Sequence, residues 1–287
     1  MLFVATLFTT TLSGAVIAGA LPGDFGVLFN PGVWDTAFFY GWSKGLSFSL
    51  PLLAILLCHE LGHYLTALRY QVNVSPPFFL PGPPAPFVGT FGAFIRLRTI
   101  LNDRRQLLDI GAAGPIAGFL VALPVLWIGL AHSQFANDPD ITGMVVQSGW
   151  GLLPLGDSVI TLLLRQITHR GAGVILSPVA FAGWIGIFVT LLNLLPIAQL
   201  DGGHILYAAL PRAQRHMARA FWVIVILLGF LSRTWFLWAF VVLLLSRGRF
   251  GHPPVLDAYR PLPRSRLWVL LVSLVIFVLT FTPAPSP

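Results

Sequence analysis

Two histidines and the only glutamate of the chain stand within five consecutive residues. Residues 59–63 read His-Glu-Leu-Gly-His, which contains the pattern His-Glu-x-x-His. Residues i and i+4 lie on one face of a helix, so His59 and His63 can bind one Zn²⁺, and Glu60 can act on a water at the metal. A catalytic zinc usually has three protein ligands, so the pattern requires one more ligand from elsewhere in the chain.

Two aspartates in apolar surroundings are candidates for the third ligand, Asp109 and Asp201. Asp109 begins an apolar stretch close to two arginines, which favours a role at a helix start or at a membrane interface. Asp201 follows a proline break and precedes two glycines, and a carboxylate in apolar surroundings needs a cation. Asp201 is therefore the better candidate, with capping of the following helix as the alternative.

The composition indicates the kind of protein in which this zinc pattern stands. Of the 287 residues, 56% are hydrophobic and 9% are charged, against about 25% charged residues in an average globular domain. The mean hydropathy is +0.83. These values exclude a soluble globular enzyme, a disordered chain and a nucleic-acid-binding module. The net charge of +7 is then better explained by orientation in a membrane.

Apolar segments of about 20 residues predict membrane-spanning helices. The predicted segments are 1–20, 45–68, 106–131, 174–195, 221–245 and 267–281. We expect a loop over 21–44 and a mixed loop over 132–173, with a short amphipathic piece near 158–168. The predicted fold class is an all-α polytopic membrane protein with about six transmembrane segments.

The chain offers no linker to a separate soluble domain, so we expect a single integral-membrane domain over 1–287. Its predicted catalytic core covers about 45–210. The accessory membrane segments are 1–20, 221–245 and 267–281.

Three arginine-rich stretches, 69–105, 211–219 and 247–266, mark the cytoplasmic side by the positive-inside rule. The last two agree with each other only if the segment 221–245 enters the membrane and returns. Arg233 at the middle of that segment would also be costly in a single span. We therefore predict a hairpin that turns at 232–234, with a single span as the alternative.

The stretch 71–98 is apolar but too rich in proline and glycine to form a regular helix. We predict a membrane-embedded, β-like re-entrant loop over about 74–98. Its part from Phe87 to Arg98, with Phe94 and Ile95, could present an extended edge that binds an unwound substrate through main-chain hydrogen bonds. The alternative is a surface loop that only anchors the chain.

Gly111, Gly114 and Gly118 lie on about one face of the third predicted span. Small residues at this spacing let helices approach closely. We expect this span to pack between the two ligand-bearing helices.

The remaining histidines give a weaker signal. His204 is expected at a surface or interface, with an additional ligand role as the alternative. The other four, expected to be solvated in loops, are His132, His169, His216 and His252.

Together these motifs resemble the site-2 protease family of intramembrane zinc metalloproteases. The resemblance is carried by four segments: His-Glu-Leu-Gly-His, Asn193…Pro196…Leu200-Asp201-Gly202-Gly203, Gly114-Pro115-Ile-Ala-Gly118, and the proline-rich stretch that ends Gly89-Thr-Phe-Gly92-Ala-Phe-Ile-Arg96. It extends over nearly the whole chain. The chain is most similar to the bacterial and chloroplast branch that has no PDZ domain.

The resemblance implies one Zn²⁺ per chain, bound by His59, His63 and Asp201, with Glu60 as general base. It implies that Asn193 binds the substrate backbone or the developing oxyanion. It also implies regulated intramembrane proteolysis of single-span membrane proteins in a lipid bilayer. The expected location is a bacterial inner membrane, with the active site toward the cytoplasm. We expect no nucleic-acid partner, and nothing indicates an oligomer.

Two other functions are compatible with a metal-binding membrane chain. One is a polytopic metal transporter, which would need polar residues along a path through the membrane. The other is an inactive membrane scaffold, against which the intact Glu60 argues.

Overall fold

The computed structural model describes residues 1–21, 31–84, 88–138, 140–149 and 151–286, and for 31–40 it describes the backbone alone. The helices are α1 (Leu2–Ile17), α2 (Pro31–Arg69), α3 (Arg104–Ala131), α4 (Val159–His169), α5 (Pro178–Leu194), α6 (Asp201–Ala209), α7 (Gln214–Leu228), α8 (Thr234–Ser246) and α9 (Leu267–Thr280). The strands are β1 (Phe78–Pro81), β2 (Thr90–Phe94), β3 (Gln134–Phe135), β4 (Met144–Ser148), β5 (Gly151–Leu155) and β6 (Val174–Ile175). A one-turn 3₁₀ helix, Arg264–Arg266, leads into α9.

The chain forms two compact units. The first consists of Met1–Leu57, Pro77–Phe94 and Leu120–Ile187. The second consists of Cys58–Pro76, Ile95–Phe119 and Phe188–Pro287. The first unit contains α1 and all six strands, and the second contains α6 to α9 and the predicted metal ligands.

Two described helical stretches are long and apolar enough to cross a membrane, Gly41–Arg69 and Arg104–Ala131. Three shorter apolar helices accompany them: Leu2–Ile17, Pro178–Leu194 and Thr234–Ser246. The chain is mostly helical, as predicted, but the prediction of an all-α fold is only partly correct because strands are present.

Helix α2 begins earlier than the sequence predicted. The expected loop over 21–44 is wrong for residues 31–44, which are helical, whereas 22–30 lie outside the described residues. Pro31 stands at the first helical position, where its missing N–H costs no hydrogen bond and its fixed φ suits a helix. Proline was therefore a start signal here and not a sign of a loop.

The fourth predicted span, 174–195, also begins differently. Val174 and Ile175 form strand β6, and helix α5 begins at Pro178. The Ser177 hydroxyl accepts a hydrogen bond from the backbone N–H of Ala180 at 3.2 Å. This Ser-Pro pair is an N-cap followed by proline in the first turn, a signal that could have given the helix start.

The segment 221–245 forms a helical hairpin. Helix α7 ends at Leu228, α8 begins at Thr234, and the two helices pack against each other. The indole N–H of Trp222 donates to the carbonyl of Ala239 at 3.0 Å. The predicted helical hairpin is therefore confirmed, and the alternative of one continuous helix over 221–245 is wrong.

The hairpin agrees with contacts between two of the arginine-rich stretches. Arg104 donates to the carbonyl of Arg260 at 2.7 Å, and Arg260 lies 3.5 Å from the carboxylate of Asp103. The backbone N–H of Asp257 donates to the carbonyl of Asn102 at 2.7 Å. The stretches 69–105 and 247–266 are thus in contact, which agrees with the expectation that both lie on the same side of a membrane.

The proline-rich stretch contains an antiparallel strand pair, which agrees with the predicted β-like conformation, whereas its position in a membrane stays a prediction. Strand β1 pairs with β2 from Phe78 opposite Phe94 to Leu80 opposite Gly92. In the second unit, an isolated antiparallel bridge joins Val74 and Leu97. Residues 85–87, which include the predicted start of the edge at Phe87, lie outside the described residues.

Two hydroxyl groups of α1 hold the loop between β1 and β2. Thr9 donates to the carbonyl of Gly89, and Ser13 donates to that of Pro84, both at 2.6 Å. The backbone of Gly89 has φ +81°, and a Cβ there would collide with the Thr9 carbonyl. Only glycine fits this close approach.

The expected mixed loop over 132–173 is largely structured. Its strands, with β6, form a sheet in the order β3-β6-β4-β5. Strand β4 reads Met-Val-Val-Gln-Ser and β6 reads Val-Ile, and their β-branched residues favour strands. The amphipathic piece is confirmed as α4, which begins with a capping box between Ser158 and Thr161.

Arg165 anchors α4 to the loops around it. Its guanidinium lies 2.8 Å from the carboxylate of Asp157 and donates to the carbonyls of Thr142 and Gly171 at 2.8 and 3.0 Å. Its side chain is 9% exposed and that of Asp157 is 18% exposed. A buried arginine that joins three separate backbone segments fixes how they pack.

We expect Arg165→Ala to lower the free energy of unfolding by about 3 kcal/mol, because it leaves Asp157 without its partner in a largely buried place. The matched control is Arg170→Ala, since Arg170 is exposed and should change stability by no more than about 0.5 kcal/mol. Denaturant unfolding of both variants in detergent, followed by circular dichroism, measures the difference. Equal stability of the two variants would contradict the anchoring role.

Candidate metal centre

Three predicted ligand atoms converge in the second unit. The Nε2 atoms of His59 and His63 are 3.1 Å apart, and each lies 3.3 Å from Oδ2 of Asp201. Ligand atoms about 2.0–2.1 Å from a tetrahedral zinc lie about 3.3–3.4 Å from one another. The three atoms thus nearly form one face of such a tetrahedron, which leaves the fourth corner open. Among the described residues, this is the one group of His, Cys, Asp or Glu that could hold a metal ion.

Helix α2 gives the two histidines their common face, because they are one turn apart. The Nδ1 atom of His63 lies 2.7 Å from the carbonyl oxygen of Ile110. Since a carbonyl only accepts, Nδ1 carries the proton and donates, which leaves the Nε2 lone pair for a metal. Both rings are buried, so their orientation is fixed by packing as well as by this hydrogen bond.

Glycines of α3 make room for the two rings. A Cβ on Gly114 would collide with the His63 ring, and one on Gly118 would lie 3.0 Å from Nδ1 of His59. A Cβ on Gly111 would lie 2.9 Å from Cβ of His204 in α6. The predicted close packing of α3 is confirmed, since its glycines lie against both ligand-bearing helices.

Asp201 is the first residue of α6, and the N-cap of this helix is Leu200. The alternative that Asp201 is the N-cap of a helix beginning after Gly202 is therefore wrong, because the helix already includes Asp201. A Cβ on Gly202 or Gly203 would collide with the carbonyls of Leu194 or Ala198. The two glycines thus let the chain turn tightly after α5 and bring the carboxylate to the histidines.

Glu60 and Asn193 flank the ligand atoms. Glu60 is buried, and its carboxylate is in hydrogen-bond contact with the backbone of Ile95. The side-chain amide nitrogen of Asn193, in the last turn of α5, lies 3.2 Å from Nε2 of His59. The structure thus brings a carboxylate and an amide to the immediate surroundings of the ligand set.

The two residues at the predicted substrate-binding edge, Phe94 and Ile95, have different surroundings in the structure. Ile95 follows strand β2 and contacts Glu60. Phe94 is the last residue of β2, pairs with Phe78 and is 44% exposed. Phe94 belongs to the first unit and Ile95 to the second.

Asp109 has a structural role, as its position near arginines indicated. Nε of Arg266 lies 2.9 Å from its carboxylate and Nε of Arg105 lies 4.0 Å away, while the Tyr70 hydroxyl donates to it. These partners join α2, α3 and the start of α9. Asp109 is thereby excluded as the third ligand.

The histidines outside the ligand set differ from the prediction. His132 and His216 are exposed, as expected, although His216 lies in α7. His169 is buried against Phe135, and His204 and His252 are partly buried and contact each other. The expectation that His169 and His252 are solvated was wrong, because their partners lie far away in the sequence and leave no local signal.

The sequence around this metal centre matches a known protein family. A model of peptidase family M50 matches residues 47–232, more than half of the chain. The chain belongs to peptidase family M50. The matched region includes all three ligand residues, Glu60 and Asn193. This membership confirms the predicted relation to the site-2 proteases and the class of metalloprotease.

Curated relatives of this M50 chain are plant proteins. It is 33% identical to the probable zinc metalloprotease EGY1, chloroplastic, of Oryza sativa subsp. japonica, over 81% of the chain and 39% of that protein. It is 36% identical to the EGY1 protein of Arabidopsis thaliana, over 56% of the chain and 30% of that protein. It is 32% identical to the EGY2 protein of Arabidopsis thaliana, over 71% of the chain and 36% of that protein. The M50 chain thus spans between 30% and 39% of the length of these three relatives.

We expect Gly114→Ala to weaken zinc binding about tenfold or more, because the added methyl group displaces the His63 ring. Competition with a chromogenic chelator measures the affinity, and elemental analysis gives the zinc content. The control is Gly143→Ala, since a Cβ at Gly143 meets no atom within 4 Å. Unchanged affinity in a folded Gly114→Ala protein would show that His63 does not need this space.

Proposed function

We propose that the chain is an intramembrane zinc metalloprotease that hydrolyses peptide bonds in or near transmembrane segments. The observation that carries the proposal is the convergence of His59, His63 and Asp201 at the edge lengths of a zinc tetrahedron. Two of these ligands lie on a helical stretch, Gly41–Arg69, that is long and apolar enough to cross a membrane. The relatives' description as zinc metalloproteases is consistent with zinc as the metal.

Peptide hydrolysis needs an activated water and a stabilised oxyanion. When bound, zinc supplies Lewis acidity, which lowers the pKa of a water molecule to about 7 and polarises a peptide carbonyl. Glu60 accepts the proton of the attacking water on its carboxylate and then donates it to the nitrogen of the leaving amine. Burial of Glu60 keeps bulk water from competing for this proton.

Asn193 is proposed to stabilise the developing oxyanion. Its side-chain nitrogen lies beside Nε2 of His59, so an N–H donor stands next to the ligand set. Preorganised donors of this kind are aimed at charge that develops in the transition state.

The stretch that ends at Ile95 is proposed to bind substrate in an extended conformation. A helical substrate hides its peptide bonds, so it must be unwound before cleavage. An exposed strand edge can hold such a segment by main-chain hydrogen bonds. The contact between Ile95 and Glu60 supports this proposal for Ile95, and the exposed ring of Phe94 is available to a substrate side chain.

We propose one peptidase domain over 1–287, with about six membrane segments and the re-entrant loop near 74–98 embedded in the bilayer. The three arginine-rich stretches support a site toward the cytoplasmic side of a bacterial inner membrane. The curated relatives are named as chloroplastic. The proposed substrates are single-span membrane proteins, cleaved in regulated intramembrane proteolysis.

A metal transporter is the second candidate. It would need a series of polar groups through the membrane, yet the described residues contain a single group able to hold a metal ion. Zinc flux into liposomes containing the protein, together with no cleavage of any membrane peptide, would favour the transporter. Cleavage that stops on addition of o-phenanthroline favours the protease.

We expect Glu60→Gln to retain zinc and to lose cleavage of a model transmembrane peptide by about 10³-fold or more, because the amide cannot accept the proton of water. Zinc content by elemental analysis and cleavage by mass spectrometry give the two results separately. Asp201→Asn is the comparison variant, since it should lower the zinc content as well. Cleavage by zinc-loaded Glu60→Gln protein at the wild-type rate would refute the role of Glu60.

We expect Ile95→Pro to reduce cleavage about tenfold or more with the zinc content unchanged, because proline removes the backbone N–H that contacts the Glu60 carboxylate and disturbs the extended edge. Ile95→Ala is the matched control, which keeps the N–H and shortens only the side chain. Peptide cleavage is measured for both variants with the same zinc content. If proline and alanine have the same small effect, the backbone of Ile95 neither positions Glu60 nor binds substrate.

A further inference from the structure

Helix α6 places Asp201 but is too short to fix its own orientation. It extends from Asp201 to Ala209, and isolated helices shorter than about 12 residues are marginal in water. Contacts outside the helix must therefore determine how it is rotated. The rotation decides whether Oδ2 of Asp201 faces His59 and His63.

His252 contacts the face of helix α6 that also carries Asp201. Residues three apart lie on about one helix face, which places His204 next to Asp201. Nδ1 of His204 lies 2.6 Å from Nε2 of His252, and the His252 ring stacks on Tyr207 with ring centroids 4.6 Å apart. One imidazole thus contacts two successive residues of this face. We call the His204–His252 contact the histidine clamp.

The segment that carries His252 is itself firmly held. Gln214 is buried, its side-chain oxygen accepts from the backbone N–H of His252 at 3.0 Å, and its nitrogen donates to the carbonyl of Phe250 at 3.1 Å. Further along, the backbone N–H of Leu256 donates to the carbonyl of Leu101 at 3.1 Å. His252 therefore approaches α6 from a fixed backbone.

The clamp is suited to joining two neutral rings. An N–H···N bond between imidazoles needs one donor and one acceptor, so at least one ring must be unprotonated. Burial lowers the pKa of His204 to about 4 and also lowers the pKa of His252. Near neutral pH the clamp therefore adds no positive charge close to the metal site.

We propose that His252 is a positioning residue of the metal centre, which holds α6 through His204 so that Asp201 faces the two histidine ligands. The inference rests on the proposed zinc site and extends it to a segment outside the family match, which ends at residue 232. His252 acts through its contacts with His204 and Tyr207 and not as a metal ligand. Its effect is on the affinity for zinc and on the geometry around it.

The test measures zinc affinity of the full-length protein in detergent, by competition with a chromogenic chelator. We expect His252→Ala to weaken zinc binding about tenfold, the lower end for groups that orient metal ligands. His252→Gln should restore most of the affinity, because its amide reaches the position of Nε2. The control His216→Ala, at an exposed histidine of α7, should bind zinc as the wild type does. Cobalt-substituted protein should show altered d–d absorption bands in His252→Ala alone.

A double variant tests the route through His204. If His252 acts through that ring, His204→Ala combined with His252→Ala should bind zinc no more weakly than the weaker single variant. Wild-type affinity and wild-type cobalt bands in His252→Ala would overturn the proposal. Should that variant not fold, His204→Ala and Gln214→Ala loosen the same clamp, and unchanged affinity in both is equally decisive against it.

Zinc affinity is measured without any substrate, which separates this inference from the proposed function. A wild-type protein that binds zinc and cleaves no peptide contradicts the protease, whereas the comparison of clamp variants stays valid. A protease whose zinc affinity is unaffected by His252 contradicts the clamp alone.

Discussion

The metal centre depends on one geometric constraint: three ligand atoms must lie about 3.3 Å apart. One turn of α2 satisfies the constraint for His59 and His63, but the carboxylate of Asp201 comes from a helix far away in the sequence. A third helix, α3, lies against both ligand-bearing helices, and any side chain beyond hydrogen at Gly114 would displace a ligand ring. The glycines of α3 are therefore part of the metal site, although none of them can bind a metal.

The scarcity of charge in the chain makes each buried charge informative. An ionised group in apolar surroundings is costly unless it is paired or bound to a metal. Asp109 pairs with Arg266, and Asp157 pairs with Arg165. Asp201 faces two imidazoles and has no arginine or lysine among its described partners. The carboxylate that is left without a permanent cation is thus the one for which a metal ion would serve.

Features that depend on neighbouring residues could be predicted from the sequence, whereas features that depend on contacts between distant segments could not. The spacing of His59 and His63 is a property of one helix turn, so the sequence was sufficient to predict their common face. Asp201 was found because so few acidic residues compete with it. The contacts of Gln214 with the 250–252 backbone and the pairing of β4 with β6 depend on chain segments that meet only after folding. No periodicity or motif in the sequence predicts which of these segments meet, which explains why the expected loop over 132–173 and the solvated His252 were wrong.

The matched family region does not contain everything that packs around the metal centre. That region ends at residue 232, yet Arg266 pairs with Asp109 at the start of α3, and the backbone of Asp257 pairs with that of Asn102 just before it. Both contacts hold the end of α3 whose next two turns carry Ile110 and Gly114, which orient His63 and make room for its ring. The C-terminal segment therefore supports α3, the helix that orients His63 and makes room for its ring. The residues that pack around the metal centre thus include some that lie beyond the matched family region.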